Sequence, residues 1–427
     1  MIDNRLFPIK TATACLNKWT WSSLWLAQGT TASCHRVKPH TISVEDFQNF
    51  NNTPEKIAQR ETMLRGEWPT QVEGCDYCQK IEAAGGKSDR QMHLDIPWVP
   101  PELHDDPTAT HVTPRLVEVF INNTCNLKCI YCSPGLSSGV AKENDQFGEF
   151  RDPRPGHDHL IIWKAELELV DTRTDYVDAF FIWLENNHQH LYRLHLLGGE
   201  PFLQTEMNRF IEFFETHWSP DLEFNIISNL MVKERNMQNS VGRLSECVKA
   251  GRLKGLHITG SIDAWGPGAE YVRYGLNLET FENNLKYLLH NPQVNTVGLY
   301  QVLTCMTINE APALYEKIKE WRQIRPELKY GFQFNIDWSK YFTHPKHWPA
   351  SVWQPSFAKL IDEMERANDP MLVEMQGAWK SVQDAQPDPD AVELCHIYLD
   401  EMDRRRGTNW RTLFPYLVVD EVQTKCA

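Results

Sequence analysis

Residues 124–132 read Thr-Cys125-Asn-Leu-Lys-Cys129-Ile-Tyr131-Cys132, directly after the apolar run 115–121, Arg-Leu-Val-Glu-Val-Phe-Ile. Short runs of the same character recur at 191–197, 222–228, 255–262, 295–303 and 328–336. Helical periodicity fills the gaps at about 172–188, 205–217, 237–250, 278–290 and 310–322. Alternating strand and helix predicts parallel βαβ units. Six such units predict an α/β fold built on a partial, open (βα)6 TIM-like barrel rather than a closed eightfold one. Loops at the C-terminal ends of barrel strands carry chemistry, and the cysteines fall in the first of them.

Around this core the chain divides into further regions. Residues 1–95 lack long helical periodicity apart from 53–66, and predict a small N-terminal domain. Residues 96–114 hold Pro97, Pro100, Pro101, Pro107 and Pro114 and read as a linker. The barrel spans 115–340, with a long polar insertion at 133–170 carrying Gly148, Pro153, Pro155 and Gly156. Long loops beside a motif often serve as lids or binding segments. His157 and His159 lie in it; surface histidine is their plain reading and substrate contact the alternative. Residues 341–427 predict a mostly helical extension, and no internal repeat or low-complexity tract is present.

Composition sets the limits. The 427 residues carry 43 Lys and Arg against 57 Asp and Glu, a formal charge of −14, which argues against non-specific nucleic-acid binding. Hydrophobic residues make up 41% and aromatics 11%, including 15 tryptophans, enough for a substantial core. No run of eighteen apolar residues suggests a membrane helix, and Met-Ile-Asp-Asn-Arg is no secretory signal. A cytoplasmic location without membrane attachment is expected. The eleven cysteines are an odd, unevenly spaced set, a poor disulfide framework. Cys247, Cys305, Cys395 and Cys426 stand alone and read as ordinary small side chains, with Cys305 a candidate hydrogen donor near the fifth strand. Clustered thiols in a reducing compartment hold metal or do chemistry.

Three thiolates at Cys-x3-Cys-x2-Cys spacing suit three irons of a [4Fe–4S] cluster, leaving the fourth iron open. Spacing alone also leaves a structural zinc site, which would need a fourth protein ligand. A second motif closes the next strand: Leu196-Leu-Gly198-Gly199-Glu200-Pro201-Phe202. Glycines let backbone approach a ligand closely, and a carboxylate with carbonyls accepts hydrogen bonds from an amine.

These two motifs together resemble the radical SAM superfamily, in which an aromatic precedes the last cysteine, as Tyr131 does here. The resemblance implies that Cys125, Cys129 and Cys132 bind the cluster, and that Gly198-Gly199-Glu200-Pro201 holds the amino group of S-adenosylmethionine. It implies ribose contacts from Ser228 and Asn229, whose plain reading is a turn and helix N-cap. Ser261-Ile-Asp263 resembles the family's Ser-x-Asp segment. Ser261 and Arg273 would engage the cofactor carboxylate; a salt bridge to a nearby acid is the other reading of Arg273. Val302 and Leu303 would pack on adenine or simply fill the core.

Upstream run Cys15-Leu-Asn-Lys-Trp19, Leu24-Trp-Leu-Ala-Gln-Gly29, Ser33-Cys34, Arg60, Arg65-Gly66-Glu67-Trp68-Pro69 and Gly74-Cys75-Asp-Tyr-Cys78. This resembles the twitch and SPASM auxiliary-cluster modules of radical SAM enzymes, placed here before the barrel rather than after it. The resemblance implies one auxiliary [4Fe–4S] cluster on Cys15, Cys34, Cys75 and Cys78, saturated by four thiolates and suited to electron transfer. Should Cys15 not ligate, an open iron would meet substrate; a zinc knuckle is the alternative for the whole group. Both resemblances cover about two thirds of the chain, 15–78 and 115–336. The segment Asp403-Arg404-Arg405-Arg406-Gly407-Thr-Asn-Trp410-Arg411-Thr-Leu-Phe414-Pro415 also resembles twitch-containing proteins. Its residues read as a charged helix end with a glycine stop, whose arginines would face solvent or an acidic electron donor.

The implied activity is reductive cleavage of S-adenosylmethionine to a 5′-deoxyadenosyl radical that abstracts a substrate hydrogen. Flavodoxin or ferredoxin would supply the electron. Peptide or protein side-chain modification is the first expectation, and dehydrogenation or rearrangement of a sugar or nucleotide the second. No acid or base for the substrate is assignable. A non-catalytic iron–sulfur carrier or zinc-stabilised binding protein is a reading of another class, weakened by the intact motifs. A nucleic-acid substrate is disfavoured by the charge.

Overall fold

The computed structural model describes residues 8–70, 73–83, 88–92, 98–156, 174–335 and 338–419. Its strands in chain order are β1 (Trp21–Trp25), β2 (Thr30–Ala32), β3 (His40–Thr41), β4 (Leu116–Phe120), β5 (Lys128–Cys129), β6 (Arg193–Leu197), β7 (Ser219–Ser228), β8 (Leu253–Ser261), β9 (Arg273–Tyr274), β10 (Val294–Leu303) and β11 (Lys329–Phe334). All six expected apolar runs form strands, β4, β6, β7, β8, β10 and β11. They lie side by side in chain order, and every neighbouring pair is parallel. Helices Met207–Thr216, Glu234–Lys249, Leu278–His290 and Ala311–Ile324 connect β6 through β11, and Thr174–Asn187 precedes β6. The result is a mixed α/β fold around one large parallel sheet.

Alternate residues of these strands face the helices. Val117, Val119, Leu194, Leu196, Phe224, Ile226, Leu256 and Ile258 are buried and join one core with the apolar helix faces. Burying each such side chain is worth roughly 1.5–3 kcal/mol. The other face differs. One register row runs Ser23, Glu118, His195, Asn225, His257, Thr296 across β1, β4, β6, β7, β8 and β10. Parallel sheets are usually apolar on both faces, so a polar row marks a surface kept for other use.

The N-terminal region enters the same sheet. β1 pairs parallel with β4, Trp21 opposite Leu116 and Trp25 opposite Phe120, and β2 and β3 continue the edge antiparallel. The β1–β2 turn closes at Gly29, where φ is 64° and an added Cβ would lie 2.7 Å from the Tyr176 ring. The proline-rich stretch is not loose: Val99, Leu103 and Val112 pack with Ile9, Leu16, Trp19 and Met63. The C-terminal region is helical over Ala350–Arg366, Leu372–Val382 and Pro389–Arg406. The insertion contributes a helix, Ser138–Phe147, capped by Ser137. His157, His159 and Cys426 lie outside the described residues. Among the described residues no helix is long and apolar enough to cross a membrane.

Candidate active site

The three-cysteine loop follows β4 and is tied at several points. The Asn122 side chain accepts from Thr124 N at 2.9 Å. Ser138 Oγ accepts from Cys125 N at 3.1 Å, and Ser137 Oγ donates to Leu127 O at 2.6 Å. β5 then pairs antiparallel with β9, setting Cys129 opposite Arg273, and Ile130 N donates to Val272 O at 2.7 Å. Burial pushes the Cys129 thiol up to about 12, opposed by Arg273 and aided by Cys125. Burial and its two neighbours push Cys132 up as well, and burial raises Cys125. Three crowded thiols of this kind lose protons when a cation replaces them. The donor set therefore fits a metal cluster.

The glycine motif follows β6 and meets this loop backbone to backbone. Gly198 and Gly199 have φ of 79° and 55°. A Cβ on Gly199 would lie 2.4 Å from Thr124 O, and Glu200 N donates to that same oxygen at 2.7 Å. Glu200 is fully buried. Its Oε1 accepts from Phe202 N at 3.1 Å and Ser228 Oγ at 2.8 Å, and its Oε2 from Asn229 N at 2.6 Å. Burial lifts this carboxyl to about 7 despite the three donors. Asn229 Nδ2 donates to Asn126 Oδ1 at 3.0 Å and lies 3.7 Å from Cys125 Sγ. The Glu200 and Ser228 side chains thus clamp protein to protein, where the resemblance implied an amine and a ribose.

Arg273 makes the salt bridge. Its Nε and Nη2 donate to the buried Asp263 carboxylate at 2.8 and 2.9 Å, and Tyr131 Oη donates to the same group at 2.5 Å. Asp263 also accepts from Val302 N at 3.0 Å, so it joins β8, β10, β9 and the cysteine loop. The arginine fork is spent on Asp263 rather than aimed at a free carboxylate. Ser261 ends β8 half-buried, opposite Tyr300. Pro201 and Leu203 form a short turn behind Glu200. Val302 is half-buried and Leu303 buried on β10. Cys247, Cys305 and Cys395 are buried in the main core.

The C-terminal arginine run has a structural task that sequence reading did not assign. Tyr398 Oη donates to Ile130 O at 2.7 Å inside the cysteine loop. Arg406 pairs with Glu143 at 2.9 Å, both nearly inaccessible, and Lys128 joins Glu143 at 2.7 Å. Asp403 accepts from Tyr271 Oη, Thr408 Oγ1 and Trp410 N. Arg405 is buried against Glu401 and Gly148 O, and Arg404, 58% exposed, also pairs with Glu401. The run is therefore a clasp on the cysteine loop, not a free basic face. Its signal was present in spacing: Tyr398, Met402 and Arg405 or Arg406 share one helical face.

At the other end of the chain Cys15, Cys34, Cys75 and Cys78 line one cavity. Cys15 precedes the short helix Asn17–Thr20, Cys34 follows β2, and the last two open the helix Cys75–Ala83. Gly74, at φ 100°, lets these strands of chain touch, since a Cβ there would overlap Arg36 O at 1.9 Å. Burial and the neighbouring thiols push Cys15 up to about 12 and Cys34 to about 11, with Lys18 pulling both down. Among the described residues no three Cys, His, Asp or Glu converge on a point that would hold one ion. Four thiols lining one cavity are the donor set that an iron–sulfur cluster with four thiolates uses.

The polar row of the sheet lies nearby. Ser23 Oγ donates to Glu118 Oε2 at 2.6 Å, and His195 Nδ1 sits 3.7 Å from Oε1. Burial raises Glu118 and lowers His195 to about 3. His35, next to Cys34, packs on Trp21 of β1.

No protein-family model matches the chain, and no curated protein does. Among solved structures, Streptococcus suis SuiB bound to S-adenosylmethionine aligns with 12% identity and a TM-score of 0.40, covering 81% of this chain and 68% of that one. SuiB bound to precursor peptide SuiA aligns with 13% identity and a TM-score of 0.39, covering 83% and 70%. Native anSMEcpe with bound AdoMet and Kp18Cys peptide aligns with 14% identity and a TM-score of 0.33, covering 58% of each.

Proposed function

We propose that this chain is a radical SAM enzyme that modifies a peptide or protein side chain. In this reading 115–340 is a partial (βα)6 barrel, 1–95 an auxiliary-cluster region, 96–114 its connection and 341–427 an extension that clasps the site. Cys125, Cys129 and Cys132 would hold a [4Fe–4S] cluster, with the Gly198–Pro201 backbone, Asn229 and Ser261 nearest to S-adenosylmethionine. Cys15, Cys34, Cys75 and Cys78 would hold a second cluster. When bound, the cluster and cofactor supply reductive C5′–S cleavage, giving methionine and a 5′-deoxyadenosyl radical that takes a substrate hydrogen.

The protein's own work is placement. The observation that carries the reading is the junction of the cysteine loop and the glycine motif at Thr124 O. It sets three thiols beside an open backbone turn at the ends of adjacent strands. Asp263 fixes Tyr131 and Arg273. The Glu200–Ser228 clamp and the Arg406–Glu143 clasp hold the loop from two sides. The polar row at Glu118, His195 and Asn225 offers hydrogen-bonding groups to a substrate on the inner face. The peptide preference rests on the twitch-like N-terminal motif, and flavodoxin or ferredoxin is the reductant it implies.

The test is product formation. Anaerobically reconstituted protein with dithionite and S-adenosylmethionine should release 5′-deoxyadenosine, and a Cys125/Cys129/Cys132→Ala triple variant should not. No release from iron-loaded wild type would contradict the reading.

A further inference from the structure

Charged groups around the four-thiol cavity fall into two sets. Arg36 donates to Asp89 at 2.6 Å, His35 lies 3.3 Å from Asp89, and Arg90 pairs with Glu82. These cations have acids. Lys18 does not. It lines the cavity and is 2% exposed. Its Nζ donates to Ser33 Oγ at 2.7 Å and Gln59 Oε1 at 2.5 Å, both neutral. Behind it stand Lys56 and Arg60, each 0% exposed. Lys56 donates to Ser22 Oγ and Thr31 Oγ1 at 2.8 Å. Arg60 donates to Lys18 O, Asn51 O, Asn52 Oδ1 and Thr110 O. Among the described residues none of the three forms an ion pair; Glu102 acts on Arg60 only from a distance.

Buried charge without counter-charge is costly. The groups placed to relieve that cost are the thiols of Cys15, Cys34, Cys75 and Cys78, which line the same cavity as Lys18. The cavity is built for an occupant of net negative charge, as a cluster with four thiolates is. Each added electron makes that occupant more negative, so fixed positive charge beside it favours the reduced form.

We propose that Lys18, backed by Lys56 and Arg60, is the residue that sets the reduction potential of an iron–sulfur centre on Cys15, Cys34, Cys75 and Cys78, raising it and so poising the centre as an electron acceptor. This rests on the two-cluster reading above. The step is a one-electron reduction of the cluster core by an external one-electron donor, dithionite in the test below; no bond to the protein breaks and no proton moves.

The experiment uses the full chain with Cys125, Cys129 and Cys132 replaced by alanine, so that bound iron reports the N-terminal site. It is reconstituted anaerobically with iron and sulfide and titrated with dithionite, the reduced cluster being counted by EPR. Lys18→Met should lower the reduced-to-oxidised ratio at the parent midpoint at least tenfold, about 59 mV for one electron. Lys18→Arg, which keeps the charge, should stay near the parent. Lys56→Met should shift the midpoint in the same direction by less. Full iron in Lys18→Met with an unchanged midpoint would overturn the proposal. If Lys18→Met does not load, an unchanged midpoint in loaded Lys18→Gln overturns it instead. A parent without iron overturns the two-cluster reading itself, before any lysine is changed.

Discussion

At the three-cysteine loop the buried cations have acids: Arg273 has Asp263 and Arg406 has Glu143. At the four-cysteine cavity Lys18, Lys56 and Arg60 are buried against hydroxyls, amides and carbonyls. The first site closes its charge within the protein. The second leaves positive charge for an occupant to meet. The frames differ too. The first set of thiols comes from one eight-residue loop tied by backbone to the next strand end. The second comes from three separate segments brought together by packing. Two metal-binding readings that look alike in sequence thus stand in opposite electrostatic settings.

The sharpest way to break this comparison is to remove one buried cation from each side. Arg406→Met strands the Glu143 carboxylate with only Lys128, and should cost about 3–5 kcal/mol. Arg60→Met strands neutral acceptors and relieves Lys56, and should cost about 1–3 kcal/mol. Denaturant melts of the metal-free protein give both numbers. Equal costs, or the reverse order, would mean that the two sites are not balanced differently.

Gly199→Ala tests the backbone junction. The new methyl cannot fit beside Thr124 O at φ 55°, so the glycine motif must draw away from the cysteine loop. A misplacement of about 1 Å can cost roughly 100-fold in rate. The 5′-deoxyadenosine rate should fall by about that factor, while iron in the N-terminal site stays.

Glu200 is the acid of the first site whose hydrogen-bond donors are all neutral. Burial raises it from 4.5 to about 7. Between these values the folded state holds a proton that the unfolded state has lost. Stability from this group is therefore full below about 4.5 and is lost as pH rises toward about 7, by up to about 1.4 kcal/mol per pH unit. Glu200→Gln lacks that slope. The stability of metal-free wild type relative to Glu200→Gln should fall between pH 5 and 7; a flat difference would show the carboxyl ionised throughout.

The smallest effect belongs to Arg404, exposed and paired with Glu401. Arg404→Ala should change stability by less than about 0.5 kcal/mol. It should also leave reduction by flavodoxin unchanged; a slowed rate would return the arginine run to a docking role.

The sheet was legible in sequence because each strand is a short β-rich run of its own, and observed bounds fall within three residues of the expected ones. The cysteine loop and glycine motif were legible because all their functional residues are local. β1 was not read as a strand beside β4, since parallel pairing across ninety residues leaves no periodic trace. Lys18, Lys56 and Arg60 were missed as buried groups because their residue types say surface. Only the fold shows that hydroxyls from β1 and β2 and carbonyls from 51 and 110 receive them. Arg273 and Ser228 were found by motif, but their partners are acids inside the protein, which no spacing rule distinguishes from a ligand.

The most direct measurement is iron and sulfide per chain in three anaerobically reconstituted proteins: wild type, the Cys125/Cys129/Cys132→Ala variant and a Cys15/Cys34/Cys75/Cys78→Ala variant. Two independent thiol sites give about eight irons, about four and about four, since each cluster holds four. About four in wild type, unchanged by loss of the N-terminal cysteines, would contradict the two-site account and leave Lys18 beside a cavity without iron.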